Sequence, residues 1–300
     1  MASTSPLCLV TPRDRDLLAA LERCPLTVRQ LLTLSSTFAY PFTTERRVQE
    51  RLHRLTAAGR VHRWHYATAG QGSLSYFTLS GLGYRLLHPD REAPVSRGLF
   101  SAVGVARQAH TQSLAQVLVH FFVAAHQSAT TVTEFHRENA LRLTCEGESL
   151  YPDATFELSP RDGVRFRFFV ELDNASETVA GLADLDSLGR KLAFYERYQD
   201  TLTERFRVLV ITTAGPRRVE NILQAAKTAA RNPQRSLAYA ATLRDFLAAS
   251  EPLSAACFHN HRTEAVAMLS TAFKPIGILG RDTERQCLAS DHLVIPMCQK

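Results

Sequence analysis

In residues 13–80 the spacing of the apolar residues changes from helical to alternating, in an order that few folds have. Apolar residues recur at helical spacing in residues 13–24, 26–35 and 41–61. They alternate with polar residues in 61–69 and 74–80, on either side of the glycine-rich stretch "GQG". Three helices followed by a two-stranded hairpin are the order of a winged helix-turn-helix, and this fold is predicted for the N-terminal domain.

Capping residues support the predicted ends of these helices. Thr27 stands where the second helix begins, and Thr43 or Thr44 stands where the third begins. A threonine side chain in this place accepts a hydrogen bond from a backbone N–H of the first turn. Gly59 follows the third helix, where glycine readily takes the left-handed conformation that ends a helix. The third helix is therefore predicted between Thr43 and Gly59.

The net charge is concentrated in the first third of the chain. Residues 1–100 contain 13 Arg, no Lys and 7 acidic residues, which gives +6. The other 200 residues contain 22 basic and 22 acidic residues, which gives zero. A basic domain joined to a neutral one is typical of a protein whose basic part meets a polyanion.

Most of the basic residues of the predicted third helix lie off its apolar stripe. They are Arg46, Arg47, Arg51 and Arg54. In a winged helix this helix enters the major groove, where arginine contacts phosphates or reads guanine. Arg63, in the first strand of the hairpin, is placed to reach the flanking backbone. We predict that these five arginines bind double-stranded DNA; the alternative is a protein-binding winged helix whose arginines are merely solvated.

The length of the chain, 300 residues, suggests two domains. The winged-helix domain is predicted over residues 10–90, and a polar linker over 91–104. A second domain is predicted over 105–250. Residues 251–300 form a C-terminal extension to which we assign no role, with a helical pattern in residues 262–273.

Cysteine usage and hydropathy bear on location. The six cysteines are scattered singly, without the spacing of a zinc site. The first residues lack the pattern of a secretory signal. No run of about 18 apolar residues is present, so a membrane span is not expected. We expect a cytoplasmic protein with reduced thiols.

Two strand-like runs in the second domain carry an unusual number of acidic residues. Asp153 lies on the polar face of "YPDATFEL", and Glu171 and Asp173 lie on the polar face of "RFRFFVELD". If the loop between the runs is centred near Arg161, Asp153 lies across from Phe169 and diagonal to Glu171. Three carboxylates are then expected on one face of an antiparallel hairpin.

Such a hairpin has two interpretations. Like charges side by side in a sheet destabilise it, and a divalent cation such as magnesium removes that penalty. The hairpin is therefore a candidate metal site, and Lys191, at the edge of the apolar stripe of the next predicted helix, is placed to turn its ammonium toward the sheet. Alternatively, the acids lie on a solvent-facing surface and are neutralised by Arg161, Arg165 and Arg167.

The chain resembles the replication-relaxation family, which includes the MobC-type relaxases of mobilisable plasmids. The resemblance covers roughly residues 10–250 and depends on the order and spacing of several motifs. These are "RRVQERLHRLTAAGRVHR", "ENALR" from Glu138, "PDATFEL" from Pro152, "FFVELDNASET" from Phe168, "KLAFYERY" from Lys191 and "FRVLVIT" before Arg217.

The resemblance implies a fold and a set of site residues for the second domain. It is expected to look like the PD-(D/E)XK nucleases, an α/β domain with a mixed sheet flanked by helices. Asp153 and Glu171 are then the metal-binding acids, and Glu138 is a possible preceding acid. Asp173 stands where the nuclease pattern has lysine. Lys191, one helix later, resembles a displaced replacement for that lysine.

The resemblance also implies a function. The protein is expected to bind DNA and to nick it at a plasmid or phage origin, with Mg²⁺ or Mn²⁺ as cofactor. Glu138, Asp173 and Lys191 join the two metal ligands as candidate catalytic residues. Double-stranded DNA and other mobilisation proteins are the expected partners. The alternative is a regulator of transcription or replication whose nuclease-like domain is inactive.

Overall fold

The fold was examined in a computed structural model, which describes residues 10–67, 74–91, 97–160, 164–175 and 188–269. The chain is a mixed α+β protein made of two compact units, one up to residue 115 and one from residue 116. The division falls inside a helix, whereas the sequence suggested a linker at 91–104. None of the helices in the described ranges is both long and apolar enough to cross a lipid bilayer.

The first unit has the three helices and the hairpin that the sequence predicts, in the predicted order. An additional two-residue strand, β1, extends the hairpin into an antiparallel sheet of order β1-β3-β2. The elements are α1 (Pro12–Arg23), β1 (Leu26–Thr27), α2 (Val28–Leu34), α3 (Glu45–Ala57), β2 (Val61–His65), β3 (Ser75–Leu79) and α4 (Gly81–Leu87).

The predicted caps set the ends of the helices in this unit. The hydroxyl of Thr27 accepts from the backbone N–H of Gln30, and that of Thr44 accepts from Arg47. Gly59 has φ 68° directly after the C-cap of α3. Because a left-handed residue turns the chain back on the helix, glycine at this position ends α3 without strain.

Gly83 lies where α4 packs most closely on the rest of the first unit. A Cβ at this position would overlap the backbone oxygen of Arg60 and would lie 2.9 Å from Cδ1 of Leu79 and 3.2 Å from Cδ2 of Leu18. Leu18 and Leu79 are fully buried, so neither can move into open space. The close approach therefore requires glycine.

We expect Gly83→Ala to lower the free energy of unfolding of the first unit by about 1–3 kcal/mol, since an added methyl in a packed site forces its neighbours apart. Urea unfolding measured by circular dichroism checks this. Gly104→Ala is the matched control, because a Cβ on Gly104 meets nothing within 4 Å. Equal stabilities of the two variants would contradict the packing argument.

The second unit is built on a seven-stranded mixed sheet of order β12-β11-β10-β9-β8-β7-β4. Strands β8, β9 and β10 are parallel, and the other neighbours are antiparallel. The helices are α5 (Gln108–Gln127), which begins before the division at residue 115, α6 (Leu188–Asp200), α7 (Pro216–Ala229) and α8 (Leu243–Ala248). The strands of the sheet are β4 (Thr131–His136), β7 (Ala154–Ser159), β8 (Phe166–Asp173), β9 (Phe206–Thr212), β10 (Ala238–Thr242), β11 (Phe258–Asn260) and β12 (Ala265–Val266), and β5 (Leu143–Cys145) and β6 (Glu148–Leu150) form a separate hairpin.

Different helices cover the two faces of this sheet. On one face Phe169 of β8 belongs to a buried cluster with Leu192 of α6 and Ile222 of α7. On the other, the ring of Phe121 of α5 stacks on that of Phe156 of β7, with centroids 4.0 Å apart. Since side chains alternate along a strand, the odd-numbered residues of β8, including its two acids, face α6 and α7.

The register of the β7–β8 hairpin differs from the predicted one. Thr155, and not Asp153, lies across from Phe169. In this register Glu157 lies across from Arg167, whose Nε and Nη2 donate to Glu157 Oε1 at 2.8 and 2.6 Å. The observed register therefore moves every cross-strand partner by two residues from the predicted one and places Glu157 across from Arg167.

The C-terminal pattern also differs from its prediction. No helix forms in the described part of residues 262–273, which ends at residue 269. Instead, Asn260 Oδ1 accepts from the backbone N–H of Arg262 and Glu264 at 2.9 and 3.1 Å and makes a turn. The chain then returns as β12 to pair with β11. Pairing with the sheet thus overrides a local helical preference.

Candidate functional site

Three carboxylate residues lie in a row at one end of the large sheet. His136 of β4 is paired with Thr155 of β7, and Thr155 with Phe169 of β8. One pair beyond Ala154 and Val170, positions 153 and 171 lie level with each other, and Glu138 lies in the turn that follows β4. Carboxylate oxygens of Glu138 and Asp153 lie within 4.8 Å of each other. The sheet therefore places Asp153 and Glu171, two of the three hairpin acids, near Glu138, the acid that the resemblance indicated.

Asp153 is held rigidly at the start of β7. Its side chain is 8% exposed, and its Oδ2 accepts from the backbone N–H of Leu172 at 2.7 Å. Its own N–H donates to the carbonyl of Val170 at 3.1 Å. Both contacts tie Asp153 to β8, so its carboxylate stays beside that strand.

Glu171 is the most buried acid of the row, with 1% exposure. The ammonium Nζ of Lys191 donates to its Oε2 at 3.1 Å, and the hydroxyl of Tyr195 donates to its Oε1 at 2.6 Å. Burial raises the pKa of Glu171 to about 7, against the lowering effect of the Lys191 ammonium and with a further rise from the Asp153 charge. Glu171 is therefore an acid with a proton to lose near neutral pH.

Lys191 lies where the sequence placed it, but Tyr195 was not predicted as a site residue. The two side chains are four residues apart on α6 and so lie on one face of that helix. The sequence contained a signal for Tyr195, namely its position one turn after Lys191 at the edge of the apolar stripe. An aromatic residue at that position is predicted to be part of the core, and only the structure shows that its hydroxyl binds Glu171.

Asp173 lies on the same face of β8 but has a different set of partners. Arg218 donates to its two oxygens at 2.7 and 2.9 Å, and the hydroxyl of Thr212 donates to Oδ2 at 2.7 Å. Burial alone raises the pKa of Asp173, but these hydrogen bonds outweigh it and hold the pKa below its usual value. We therefore assign Asp173 to anchoring the start of α7 rather than to the catalytic role expected from its position.

The raised pKa of Glu171 predicts how stability depends on pH. Between the ordinary value of 4.5 and about 7, the folded protein keeps a proton that the unfolded chain has released. This contribution to stability is complete below 4.5 and is lost as the pH rises through about 7. We expect Glu171→Gln to gain on the order of 3 kcal/mol over wild type between about pH 5 and about pH 8. Chemical denaturation across this pH range measures the difference.

Asp173→Asn is the control for this pH series. The pKa of Asp173 is lowered, so Asp173 is ionised in both the folded and the unfolded state throughout the same range. Its stability difference from wild type should therefore be constant with pH. A difference for Glu171→Gln that is equally flat would show that the pKa of Glu171 is not raised.

Four of the five arginines predicted to bind DNA are exposed on the first unit. Arg46 has 86% of its side chain exposed and pairs with Glu50 one turn later at 3.0 Å. Arg47 and Arg54 are exposed on the same helix, α3. Arg63 is exposed on β2, where its Nε donates to Ser75 at 3.0 Å. A surface ion pair such as that of Arg46 is weak enough to be exchanged for a phosphate.

Arg51 is directed into the first unit instead. Its Nη2 donates to Asp14 Oδ2 at 2.6 Å and to Thr11 Oγ1 at 2.7 Å, and its Nε donates to Asp14 Oδ1. Burial raises the pKa of Asp14, but the Arg51 and Thr11 hydrogen bonds outweigh burial and lower it. Because this guanidinium joins α3 to the start of α1, we assign Arg51 a structural role in place of the predicted DNA contact.

Residues 18–213 match the profile of the replication-relaxation family, which is more than half of the chain. The chain belongs to the replication-relaxation family. The matched range includes α3 as well as Glu138, Asp153, Glu171 and Lys191, so the basic helix and the acidic row both lie within the family's shared region.

Individual proteins add little to this. No curated protein matches the sequence. Among solved structures, that of Bacillus subtilis PadR in complex with operator DNA is similar over 38% of this chain and 68% of PadR, with 13% identity and a TM-score of 0.23. A TM-score this low carries no argument about fold or function.

Proposed function

We propose that this member of the replication-relaxation family binds duplex DNA with its first unit and cleaves a phosphodiester bond with its second. The observation that carries the proposal is a group of carboxylates at one end of the sheet: oxygens of Glu138 and Asp153 lie within 4.8 Å of each other, and Glu171, level with Asp153, has the Lys191 ammonium at 3.1 Å. Asp153 and Glu171 are both buried, and a cation between their carboxylates would reduce the cost of burying two like charges.

DNA binding is supported by the first unit. Its order of three helices and a hairpin is that of a winged helix-turn-helix, whose third helix enters the major groove. In this chain that helix is α3, and Arg46, Arg47 and Arg54 are exposed along it. Arg63 on the hairpin extends the basic surface beyond the helix. We propose that these four arginines contact the duplex, without Arg51.

The second unit supports a PD-(D/E)XK-like nuclease domain. In chain order α5 and β4 are followed by the separate β5–β6 hairpin and then by β7, β8, α6 and β9. In the sheet β4, β7 and β8 are antiparallel neighbours and β9 is parallel to β8. The acids lie at one end of β4, β7 and β8, and β4 is at the edge of the described sheet. We propose this domain as the site of cleavage.

The carboxylate oxygens of Glu138, Asp153 and Glu171 are ligands of the kind that a hard cation such as Mg²⁺ or Mn²⁺ prefers. Asp153 and Glu171 would hold the ion, with Glu138 beside Asp153. Bound there, the ion would polarise the phosphate and lower the pKa of a bound water. The chain itself fixes Asp153 through the Leu172 amide and supplies an ammonium, Lys191, for the charge that develops on the phosphate.

The family match also supports a biological setting. We propose that cleavage is a single-strand nick at an origin of transfer or replication of a plasmid or phage, in the manner of a MobC-type mobilisation protein. Other mobilisation proteins would then be its partners at that origin. The winged helix would select the DNA, and the acidic row would cut it.

A second candidate is a DNA-binding regulator in which the acidic row is not a catalytic site. One observation favours it: both oxygens of Glu171 are occupied by donors of the chain, Lys191 and Tyr195. The ammonium thus already offsets the buried acid without a metal ion. In this candidate the second unit serves assembly and the first unit represses transcription or controls replication.

Nicking of a supercoiled plasmid that carries an origin of the host element separates the two candidates. With MnCl₂ or MgCl₂ present, the first predicts conversion to open circles by purified wild type and none after addition of EDTA. Duplex binding in a gel-shift assay should be kept in EDTA. Tight binding without nicking, and without thermal stabilisation by either metal, would select the regulator.

A further inference from the structure

The two donors that hold Glu171 differ in their freedom to move. Tyr195 is 0% exposed, while the side chain of Lys191 is 27% exposed. Both donate to the same carboxylate, one to each oxygen. One oxygen of Glu171 therefore has a fixed partner and the other has a partner that can leave.

The fixed partner is held by aromatic packing on three sides. The ring of Tyr195 lies 5.5 Å from that of Phe169, 6.1 Å from that of Phe206 and 6.2 Å from that of Phe194. These rings are all buried in the same cluster. Because a close-packed interior gives such a ring no alternative rotamer, its hydroxyl stays at Glu171 Oε1.

The other partner is a charge on a flexible stem. Lysine has four rotatable side-chain bonds and an ammonium that is strongly attracted to water. In this chain the ammonium, on a partly exposed side chain, balances the charge of Glu171, on which the charge of Asp153 also acts. A divalent cation at the place of the ammonium would neutralise the carboxylate of Glu171 in the same way, with two positive charges instead of one.

We propose that Tyr195 is a positioning residue that fixes Glu171 through Oε1, and that the Lys191 ammonium and a divalent cation compete for Oε2. The inference extends the proposed function, because it concerns the metal site of that function. It gives Lys191 two successive partners: Glu171 when no metal is bound, and the substrate phosphate once the cation has taken its place.

Opposite effects of two substitutions on the affinity for MnCl₂ test this inference without any cleavage. Tyr195→Phe removes the fixed donor, and we expect roughly tenfold weaker binding, the usual loss when a residue that orients a metal ligand is removed. Lys191→Met removes the competing charge at constant length, and we expect binding to become about tenfold tighter. Free Mn²⁺ is counted by electron paramagnetic resonance, and calorimetry gives an independent affinity.

Tyr198→Phe is the matched control. Tyr198 lies one turn further along α6, with its ring 6.4 Å from Phe169 and 5.9 Å from Phe206. Loss of its hydroxyl should leave the Mn²⁺ affinity unchanged, whereas a general loosening of the aromatic cluster would affect both tyrosine variants alike. Thermal unfolding of the metal-free variants checks that each is folded.

The outcomes separate this inference from the proposed function. If wild type binds Mn²⁺ and all variants bind it equally, the competition is overturned and the metal site stands. If Lys191→Met binds more weakly than wild type, Lys191 assists the metal and the inference is likewise overturned. If neither wild type nor Lys191→Met binds Mn²⁺, both the inference and the metal-dependent function are overturned.

Discussion

Asp153→Asn is expected to lower metal-dependent nicking by roughly 100-fold or more. Removal of a residue that merely orients a metal ligand lowers metal affinity or activity by about 10- to 100-fold, and this substitution removes a ligand itself. The amide keeps the shape of the carboxylate and still offers an oxygen to the Leu172 N–H, so the fold is expected to remain. The measurement is the rate of open-circle formation under saturating Mn²⁺, with duplex affinity measured in parallel. That affinity should not change.

Glu157→Gln is the control for the loss of a buried carboxylate. Glu157 lies on the same strand, β7, and is 3% exposed, but it pairs with Arg167 away from the acidic row. This variant should lose stability and keep its nicking rate per folded molecule. Equal losses of nicking in the two variants would show that activity depends on the hairpin's integrity and not on Asp153 as a ligand.

Replacement of Arg46, Arg47 and Arg54 by glutamine together is expected to weaken duplex binding by roughly 100-fold or more at moderate salt. Each phosphate contact contributes about 0.9 to the slope of log affinity against log salt concentration, so the slope should fall by about 3. Fluorescence anisotropy with a labelled duplex, repeated over a salt series, measures both quantities. An unchanged slope would place the DNA contact elsewhere.

Arg51→Gln provides a contrast on the same helix. Its guanidinium is bound to the buried Asp14, so the substitution leaves a buried charge without its partner. We expect the free energy of unfolding to fall by about 3 kcal/mol and the salt slope to stay as in wild type. A reduced slope for this variant would show that Arg51 leaves Asp14 to meet DNA.

Local patterns in the sequence predicted the elements of the first unit well. The cap at Thr27, the choice between Thr43 and Thr44, and the turn at Gly59 all depend on hydrogen bonds within a few residues. Such contacts form in the same way whatever the rest of the chain does. The strand β1 was missed, because two residues leave no periodic signal and only pairing with β3 defines them.

Of the candidate residues of the acidic site, Asp153, Glu171 and Lys191 lie close together, Asp173 has other partners, and Tyr195 was not among the candidates. Period two placed Asp153 and Glu171 on one face, and the structure has them on adjacent strands at level positions. The predicted register was wrong by two residues. In the observed register Glu157 pairs with Arg167, a pairing that alternation alone does not select.

The choice of partners for charged residues was the least predictable part. Arg51 has the same charge as Arg46, but it is held by Asp14 inside the first unit. Asp173 has the same charge as Glu171, but it is held by Arg218. These partners are more than 30 residues away along the chain. No periodicity connects residues so far apart, so their contacts follow only from how the elements pack.

By itself the sequence determined the three helices and the hairpin of the first unit, which faces are apolar, where the positive charge lies and which acids share a face. These properties follow from short-range hydrogen bonds and from side-chain alternation. Only the tertiary structure decided that Glu171 has Tyr195 and Lys191 as donors, that Asp173 anchors α7 and that Arg51 braces α1. Those contacts depend on long-range packing, because a buried charge needs a partner and that partner comes from a distant part of the sequence that packs beside it.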